Sequence, residues 1–274
     1  MLGFCLDLAK VGGRIAREHF MRISEREVST KGHHDYVTHV DKLVEDTLVR
    51  RIRAHYPNHQ ILGEEGGSGG HDLAANVPLW IIDPIDGTTN FIRGIPFFCI
   101  SIAYVEQGEP RHAVVYDPLR DEAFTAERGA GVWMNGQRSY TSNCTSIDRA
   151  LLATAMPYRN PQCQTDCLRV FDQMQRACDD QRRSGSAALD LAYTAIGRLD
   201  GYYELGIYPW DTAAGELLVR CGGGAVTDYA GRIEGLISRR SVVAGASPAL
   251  HRVMLEAVQP LRPWLDQAPF TGLG

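Results

Sequence analysis

Phe4, Leu8, Val11 and Ile15 recur at spacings of four, three and four, which predicts an amphipathic helix over residues 4–20. A second apolar stripe, Val40, Val44, Leu48 and Ile52, predicts a helix over residues 38–54, closed by Tyr56-Pro57-Asn58. The pattern then changes period. Leu79-Trp80-Ile81-Ile82 is an unbroken apolar run that reads as a buried strand stopping at Asp83-Pro84. Residues 97–105, 112–116, 122–126 and 132–134 follow as short strands separated by turns, including Gln107-Gly108-Glu109-Pro110 and Asn135-Gly136. Their close succession predicts antiparallel neighbours.

Beyond residue 140 strands alternate with helices. Strands are expected at 151–155, 201–204, 225–228 and 241–244, and helices at 167–179, 186–198, 211–221 and 248–257. That alternation predicts an α/β half with at least partly parallel pairing. A break near residues 137–150 therefore divides the chain into an antiparallel α+β half, 1–140, and an α/β half, 141–274. No internal repeat is visible. Gly66-Gly67-Ser68-Gly69-Gly70 reads as a flexible surface loop.

Composition narrows the classes. With 44% apolar and 22% charged residues in 274, the chain is neither a disordered tail nor a coiled coil. A net charge of −5 argues against broad binding to a nucleic-acid backbone. It also means that an anionic ligand would need something besides the protein's own net charge to hold it. The seven cysteines are scattered with no C-x-x-C pair, which disfavours a zinc ribbon and suits a reducing, cytoplasmic setting. Charged residues interrupt the first helix, so it is no signal peptide, and no apolar run reaches the roughly 18 residues of a membrane span.

The familiar signatures G-x-S-x-G, G-x-x-x-x-G-K-[ST] and H-E-x-x-H are absent from the sequence. Acidic residues at element ends stand out instead. Asp83 and Asp86 flank Pro84-Ile85, and Gly87 permits a tight backbone path, so both carboxylates can turn toward one point. Asp86-Gly87-Thr88-Thr89-Asn90 reads as a cap opening a short helix, whose free Gly87 and Thr88 amides suit an anion. Glu64-Glu65 and Asp211 are further hard-oxygen candidates. Carboxylates without thiolate or paired imidazole favour Mg²⁺ over zinc. Singly, each motif is most often ordinary: Asp-Pro-x-Asp-Gly a turn, Glu-Glu solvated charge, Asp after Trp an N-cap. Together they describe a two-metal phosphoryl site.

Two stretches carry a resemblance. Trp80-Ile81-Ile82-Asp83-Pro84-Ile85-Asp86-Gly87-Thr88-Thr89-Asn90-Phe91 and Trp210-Asp211-Thr212-Ala213-Ala214-Gly215-Glu216-Leu217-Leu218 resemble the two signatures of the inositol monophosphatase family. Gly63-Glu64-Glu65 resembles its acidic metal loop, and Lys31 to Asp41 its Lys-…-Asp-x-Val-Thr-x-x-Asp stretch. Arg182-Arg183-Ser184-Gly185-Ser186-Ala187-Ala188-Leu189-Asp190-Leu191-Ala192 is most similar to the bacterial members.

The resemblance implies a layered αβαβα sugar-phosphatase fold, dependence on two or three Mg²⁺ ions, lithium sensitivity and a homodimer. It implies a first metal on Glu64, Asp83 and the Ile85 carbonyl, and a second on Asp83, Asp86 and Asp211. Thr88, with Glu64 and Asp41, would orient the attacking water. Gly87 and Thr88 amides would receive the phosphate, and Asp86, Arg182, Ala187, Glu204 and Asp211 would line the sugar side. The implied reaction is hydrolysis of a small polyol phosphate monoester, myo-inositol 1-phosphate first, with fructose-1,6-bisphosphatase and histidinol-phosphate phosphatase activities as alternatives. Thr89-Asn90-Phe91 departs from the Lys-Glu-Phe ending of nucleotide-3′-phosphatases. His33-His34 stands where relatives carry small polar residues, and no effect is expected of it. Some bacterial members also bind transcription machinery, so contact with RNA polymerase or a Nus factor is a second expectation. Arg14, Arg17, Arg22, Arg50, Arg51 and Arg53 lend the first two helices local basic character, though such runs are usually solvated faces.

Overall fold

The computed structural model describes residues 1–23, 28–32, 35–66, 76–157 and 160–267. Its central element is a seven-stranded sheet in the order β3-β4-β5-β6-β7-β8-β9. These strands span Gln60–Gly63, Leu79–Asp86, Cys99–Glu106, Glu109–Asp117, Glu122–Glu127, Gly131–Met134 and Gln137–Ser139. Only β3 and β4 pair in parallel; the remaining neighbours are antiparallel.

Alternation along the strands explains why the sequence shows unbroken apolar runs here. Trp80 and Ile82 on β4, Ile100, Ile102 and Tyr104 on β5, and Val114 on β6 face one side. There they pack on α1 (Leu2–His19) and α2 (His39–His55) through Leu8, Val44, Leu48 and Ile52. Ile81, Ala103, Val105, Ala113 and Val115 face the other side and meet α5 (Ala187–Ala195) and α6 (Pro209–Gly222). A sheet covered on both faces has no polar side to alternate with.

The far side of α5 and α6 packs on a second sheet, ordered β11-β10-β12-β14-β13, with strands Asp180–Arg182, Leu151–Thr154, Gly201–Leu205, Ser241–Gly245 and Ala225–Thr227. β10 pairs in parallel with β11 and β12, whereas β14 pairs antiparallel with β12 and β13. Its outer face, with Leu152, Tyr203 and Val243, is closed by α4 (Gln164–Ala177) and α7 (Pro248–Ala257). The layers therefore run helix, sheet, helix, sheet, helix, the expected αβαβα order. One continuous apolar cluster joins the seven-stranded sheet, α5, α6 and the five-stranded sheet, so the middle helical layer, all of it after residue 140, packs against residues from before and after that point.

Four local readings change. The apolar run at 79–82 does not stop at Asp83; β4 continues to Asp86. Asp86 is not the cap of the short helix. That helix, α3, spans Thr88–Ile92, and its N-cap is Gly87 in the left-handed region at φ 102°. The helix expected from Asp211 starts at Pro209, where proline's missing N–H costs nothing. A hairpin of β1 (Val28–Gly32) with β2 (Asp35–Thr38) precedes α2, unannounced by any alternating run. The Gly-rich loop at 67–70 and His33-His34 lie outside the described residues, as does any part the His pair plays.

The middle layer is tight. A Cβ on Gly215 of α6 would lie 2.5 Å from Leu191 Cβ on α5. Gly215→Ala should therefore lower the melting temperature, because overpacking of about 1–3 kcal/mol outweighs the roughly 1 kcal/mol that alanine gains in a helix. A raised melting temperature would show that α5 and α6 separate at no cost.

Candidate active site

The site begins with strand register. β3 and β4 run parallel with Gly63 opposite Ile82, so Glu64, just past the end of β3, lies beside Asp83 within β4. On the other flank, Asp83 pairs with Ser101 and Asp86 with Cys99. Two residues of β4, Pro84 and Ile85, thus oppose the single Ile100 of β5. In a regular strand, positions three apart face opposite ways. The one-residue bulge restores parity and places Asp83 and Asp86 on the same face, beneath α5 and α6. Pro84 has no N–H to lose to the interrupted ladder. The Ile85 amide donates to Asp83 Oδ1 at 3.0 Å, and Ile85 itself packs toward α1 and α2.

Three helix starts meet these strands. Asp211 is the third residue of α6, and its Oδ2 accepts from the Tyr208 amide at 2.8 Å. The Ser101 hydroxyl donates to the Trp210 carbonyl at 3.1 Å and docks that helix start on β5. Asp86 Oδ2 accepts from the Ser186 hydroxyl at 2.6 Å and the Ala188 amide at 2.7 Å, at the start of α5. Asp41, the third residue of α2, accepts the Thr38 amide at 2.9 Å on Oδ2 and the Thr88 hydroxyl at 3.2 Å on Oδ1. The Thr88 hydroxyl also lies 3.1 Å from the Ile85 carbonyl. Glu64 follows β3, and the next amide, Glu65, donates to buried Glu45 of α2 at 2.8 Å.

Carboxylate oxygens of Asp83, Asp86 and Asp211 come within 4.8 Å of one another. Asp83 is 1% exposed, and burial followed by the charges of Glu64, Asp86, Asp211 and Asp41 pushes its carboxyl well above the usual carboxylate range. Burial also raises Asp86, against the opposing donors Ser186 and Ala188, and raises Asp41, against Thr38 and Thr88. Such a group of acids attracts cations.

Glu64, Asp83, Asp86 and Asp211 line a cleft of about 850 Å³ that also includes Ile85, Gly87, Thr88, Ala187 and Glu204; Asp41, fully buried, is not in its wall and reaches it only through Thr88. Arg182 does not line it. Its side chain pairs with Asp180 on the surface, and Arg183, one position on, reaches the cleft instead. The one-position shift follows from the alternation of side chains at the end of β11.

Sequence reasoning passed over several residues that shape the site. Ser186 holds Asp86; its N-cap role was readable from a serine ahead of an Ala/Leu-rich helix, but its reach to a carboxylate 100 positions away was not. Asn90 donates to the Phe97 carbonyl at 2.7 Å and to the Ser184 carbonyl at 2.9 Å, tying the two sides of the cleft. Gly87, already read from the sequence as permitting a tight backbone path, is required where it stands: a Cβ there would crowd the Phe97 and Gly185 carbonyls at 3.1 and 3.2 Å, and its φ is positive. Asp190 is 2% exposed, lines the cleft and leaves Oδ1 without a hydrogen bond in the structure. Burial holds its carboxyl well above the ordinary range, and the nearby Asp86 and Glu204 add to this.

Comparison with known proteins agrees with this architecture. The family model described as "Inositol monophosphatase family" matches residues 1–262. The Nus factor SuhB of Escherichia coli (strain K12) is 43% identical over 256 residues, 93% of this chain and 94% of its own. The crystal structure of the extragenic suppressor protein suhB from Bartonella henselae matches with a TM-score of 0.87 at 35% identity, covering 94% of this chain and 97% of that one. The IMPase of Thermotoga maritima matches with a TM-score of 0.84 at 33% identity, covering 96% and 98%. Acid-bearing strand ends, a shared layer architecture and a sequence match along nearly its whole length place the chain in one group: it belongs to the inositol monophosphatase family.

Proposed function

We propose that the chain is a Mg²⁺-dependent phosphatase acting on a phosphate monoester of a small polyol, with myo-inositol 1-phosphate the leading substrate. The observation that carries the reading is the convergence of buried Asp83 and Asp86 with half-buried Asp211 within 4.8 Å. The donor set fits a hard divalent cation: the converging ligands are all carboxylates, and their mutual repulsion is relieved by a cation among them. Glu64, Asp83, the Ile85 carbonyl, Asp86 and Asp211 would hold two or three Mg²⁺ ions. Bound there, such ions neutralise the phosphate and make a water more acidic.

The chain's own groups supply the rest. Thr88 donates its proton to Asp41 or to the Ile85 carbonyl, which leaves the threonine oxygen to accept from the attacking water. Asp41, whose burial raises its proton affinity, suits the end of that relay. Glu64 flanks the same point and helps orient the water. The Gly87 and Thr88 amides open α3 toward the phosphate. Asp86, Glu204 and Asp211 offer the polyol side a wall of acceptors for hydroxyl donors, with the Ala187 methyl beside them and Arg183, rather than Arg182, on the cleft wall. Fructose-1,6-bisphosphatase and histidinol-phosphate phosphatase activities remain the alternatives on the same machinery. A homodimer in the cytoplasm, inhibited by lithium, belongs to the same reading. Among the described residues no helix is long and apolar enough to cross a membrane.

A second reading rests on a relative's name. Because the similar Escherichia coli protein is a Nus factor, we infer that this chain also contacts RNA polymerase or a Nus factor. Asp83→Asn separates the two roles, since Asp83 is 1% exposed and offers no surface to a partner. The variant should retain RNA polymerase or a Nus factor in pull-down as well as the unaltered chain does; no capture by either protein removes the second role.

Asp83→Asn should abolish most Mg²⁺-dependent phosphate release from myo-inositol 1-phosphate while leaving the circular dichroism spectrum unchanged. Undiminished turnover would remove the phosphatase assignment. A panel with fructose 1,6-bisphosphate, histidinol phosphate and adenosine 3′,5′-bisphosphate, with and without Li⁺, orders the substrates.

The same variant should alter stability in a pH-dependent way. Asp83 binds its proton more tightly in the folded chain than in the unfolded chain, where aspartate titrates near about 3.9. Its contribution to stability is therefore complete below that pH and is lost as pH rises through the higher folded value. In EDTA, Asp83→Asn should melt above the unaltered chain at pH 7.5, with the gap narrowing toward pH 5. Saturating Mg²⁺ should reverse the order at pH 7.5. Equal melting temperatures throughout would show that Asp83 carries no such strain.

A further inference from the structure

A second cavity, of about 330 Å³, opens away from the acidic cleft. It is formed by the start of β6 (Glu109, Pro110), the β7–β8 turn with Arg128, Arg138 of β9, and the last turn of α6 with Arg220 and Cys221. From Asp211 to Arg220, α6 advances about 14 Å at roughly 1.5 Å per residue, so the two cavities lie toward opposite ends of one helix. The lining carries three guanidiniums against the single carboxylate of Glu109, in a chain whose net charge is −5.

Each guanidinium is held in place. Arg138 stacks on Trp133 and Tyr140, its Cζ 5.1 and 5.4 Å from the ring centroids, and donates to the Ala130 carbonyl. Arg128 Nη1 donates to Glu109 at 3.0 Å. Arg220 Nη2 donates to Glu216 at 3.1 Å, and the same oxygen of Glu216 accepts from Arg239 at 2.7 Å. These bonds each use one nitrogen of a group with five N–H donors, so the forks keep donors for an anion. Arginines fixed before binding lose little side-chain entropy when an anion arrives.

All three line the same cavity as Cys221. Burial pushes the Cys221 thiol up, and Arg138, Arg128 and Arg220 all pull it back down. The carbonyls ending α6 oppose an anion there, but their effect is confined to the last turn and is smaller than the two net positive charges of the lining.

We propose that this cavity is a binding site for a small phosphate dianion, free or as a phosphomonoester, held by Arg128, Arg138 and Arg220. It is independent of how the acidic cleft is read. The volume suits a phosphate with a few attached atoms.

Cys221 provides the reporter, with the half-buried Cys144 and Cys178 as internal controls. The full chain in EDTA, which keeps phosphate from being held through divalent cations, is alkylated with iodoacetamide, and each cysteine is followed by peptide mass spectrometry. Inorganic phosphate should slow alkylation of Cys221 several-fold and saturably, leaving Cys144 and Cys178 unchanged. Sodium chloride at matched ionic strength should not. Glycerol 2-phosphate is the second arm: protection by it assigns phosphomonoesters, and protection by inorganic phosphate alone assigns the free ion. Arg138→Gln with Arg220→Gln should abolish protection. No protection by either phosphate, equal protection by chloride, or protection undiminished in the double variant overturns the proposal. Should the double variant melt early, the comparison of phosphate with chloride on the unaltered chain decides alone.

Discussion

Carboxylates forced together inside a protein repel one another and resist desolvation, and the architecture around this cleft answers that constraint. Asp41 and Asp211 each sit third in a helix, on α2 and α6, and Asp86 accepts from the start of α5. Three helix N-termini, with their partial positive charge and unpaired amides, are thus directed at the acids. Their donors reduce the cost of the cluster without cancelling it, which is why Asp83, held by the Ile85 amide alone among the described residues, is so strongly pushed toward its protonated form. The middle helical layer is there for packing, but its two helices begin where negative charge needs them.

The bulge in β4 is the second half of the answer. It sets two carboxylates on one face where an unbroken strand would have split them between the α1–α2 side and the α5–α6 side. Pro84 makes the interruption easy, and Gly87 turns the chain sharply enough for Thr88 to reach back to Asp41. The tetrad Asp83-Pro84-Ile85-Asp86 therefore encodes a geometric correction as well as two ligands.

Much of this was legible in the sequence, for local reasons. Helices with an apolar stripe, strands buried on both faces and the Asp-Pro-Ile-Asp-Gly-Thr string declare themselves within a few residues, and the acids they carry do come together. What was not legible depends on pairings between distant segments. The parity change needs the register of β4 against β5. The replacement of Arg182 by Arg183 needs the direction of side chains leaving β11. Asn90 and Ser186 are ordinary polar residues until Ser184 and Asp86 are seen beside them. Short strands such as β9 and β11 have only three residues each, too few for a period to show.

Asp86 meets Ser186 and Ala188 across sequence separations of 100 and 102, and Asn90 meets Ser184 across 94. Contacts so far apart close large loops and form late, after local helices and hairpins. During synthesis, the seven-stranded sheet, complete by Ser139, emerges well before α5 and α6, whose apolar faces cover one side of it. Until then Ile81, Ala103 and Val115 lie open to solvent and to other chains, and the acids lack the helix ends that hold them. Assembly of the cleft and burial of the aggregation-prone face are the same event, so a chain with an intact cleft has already passed its most vulnerable stage.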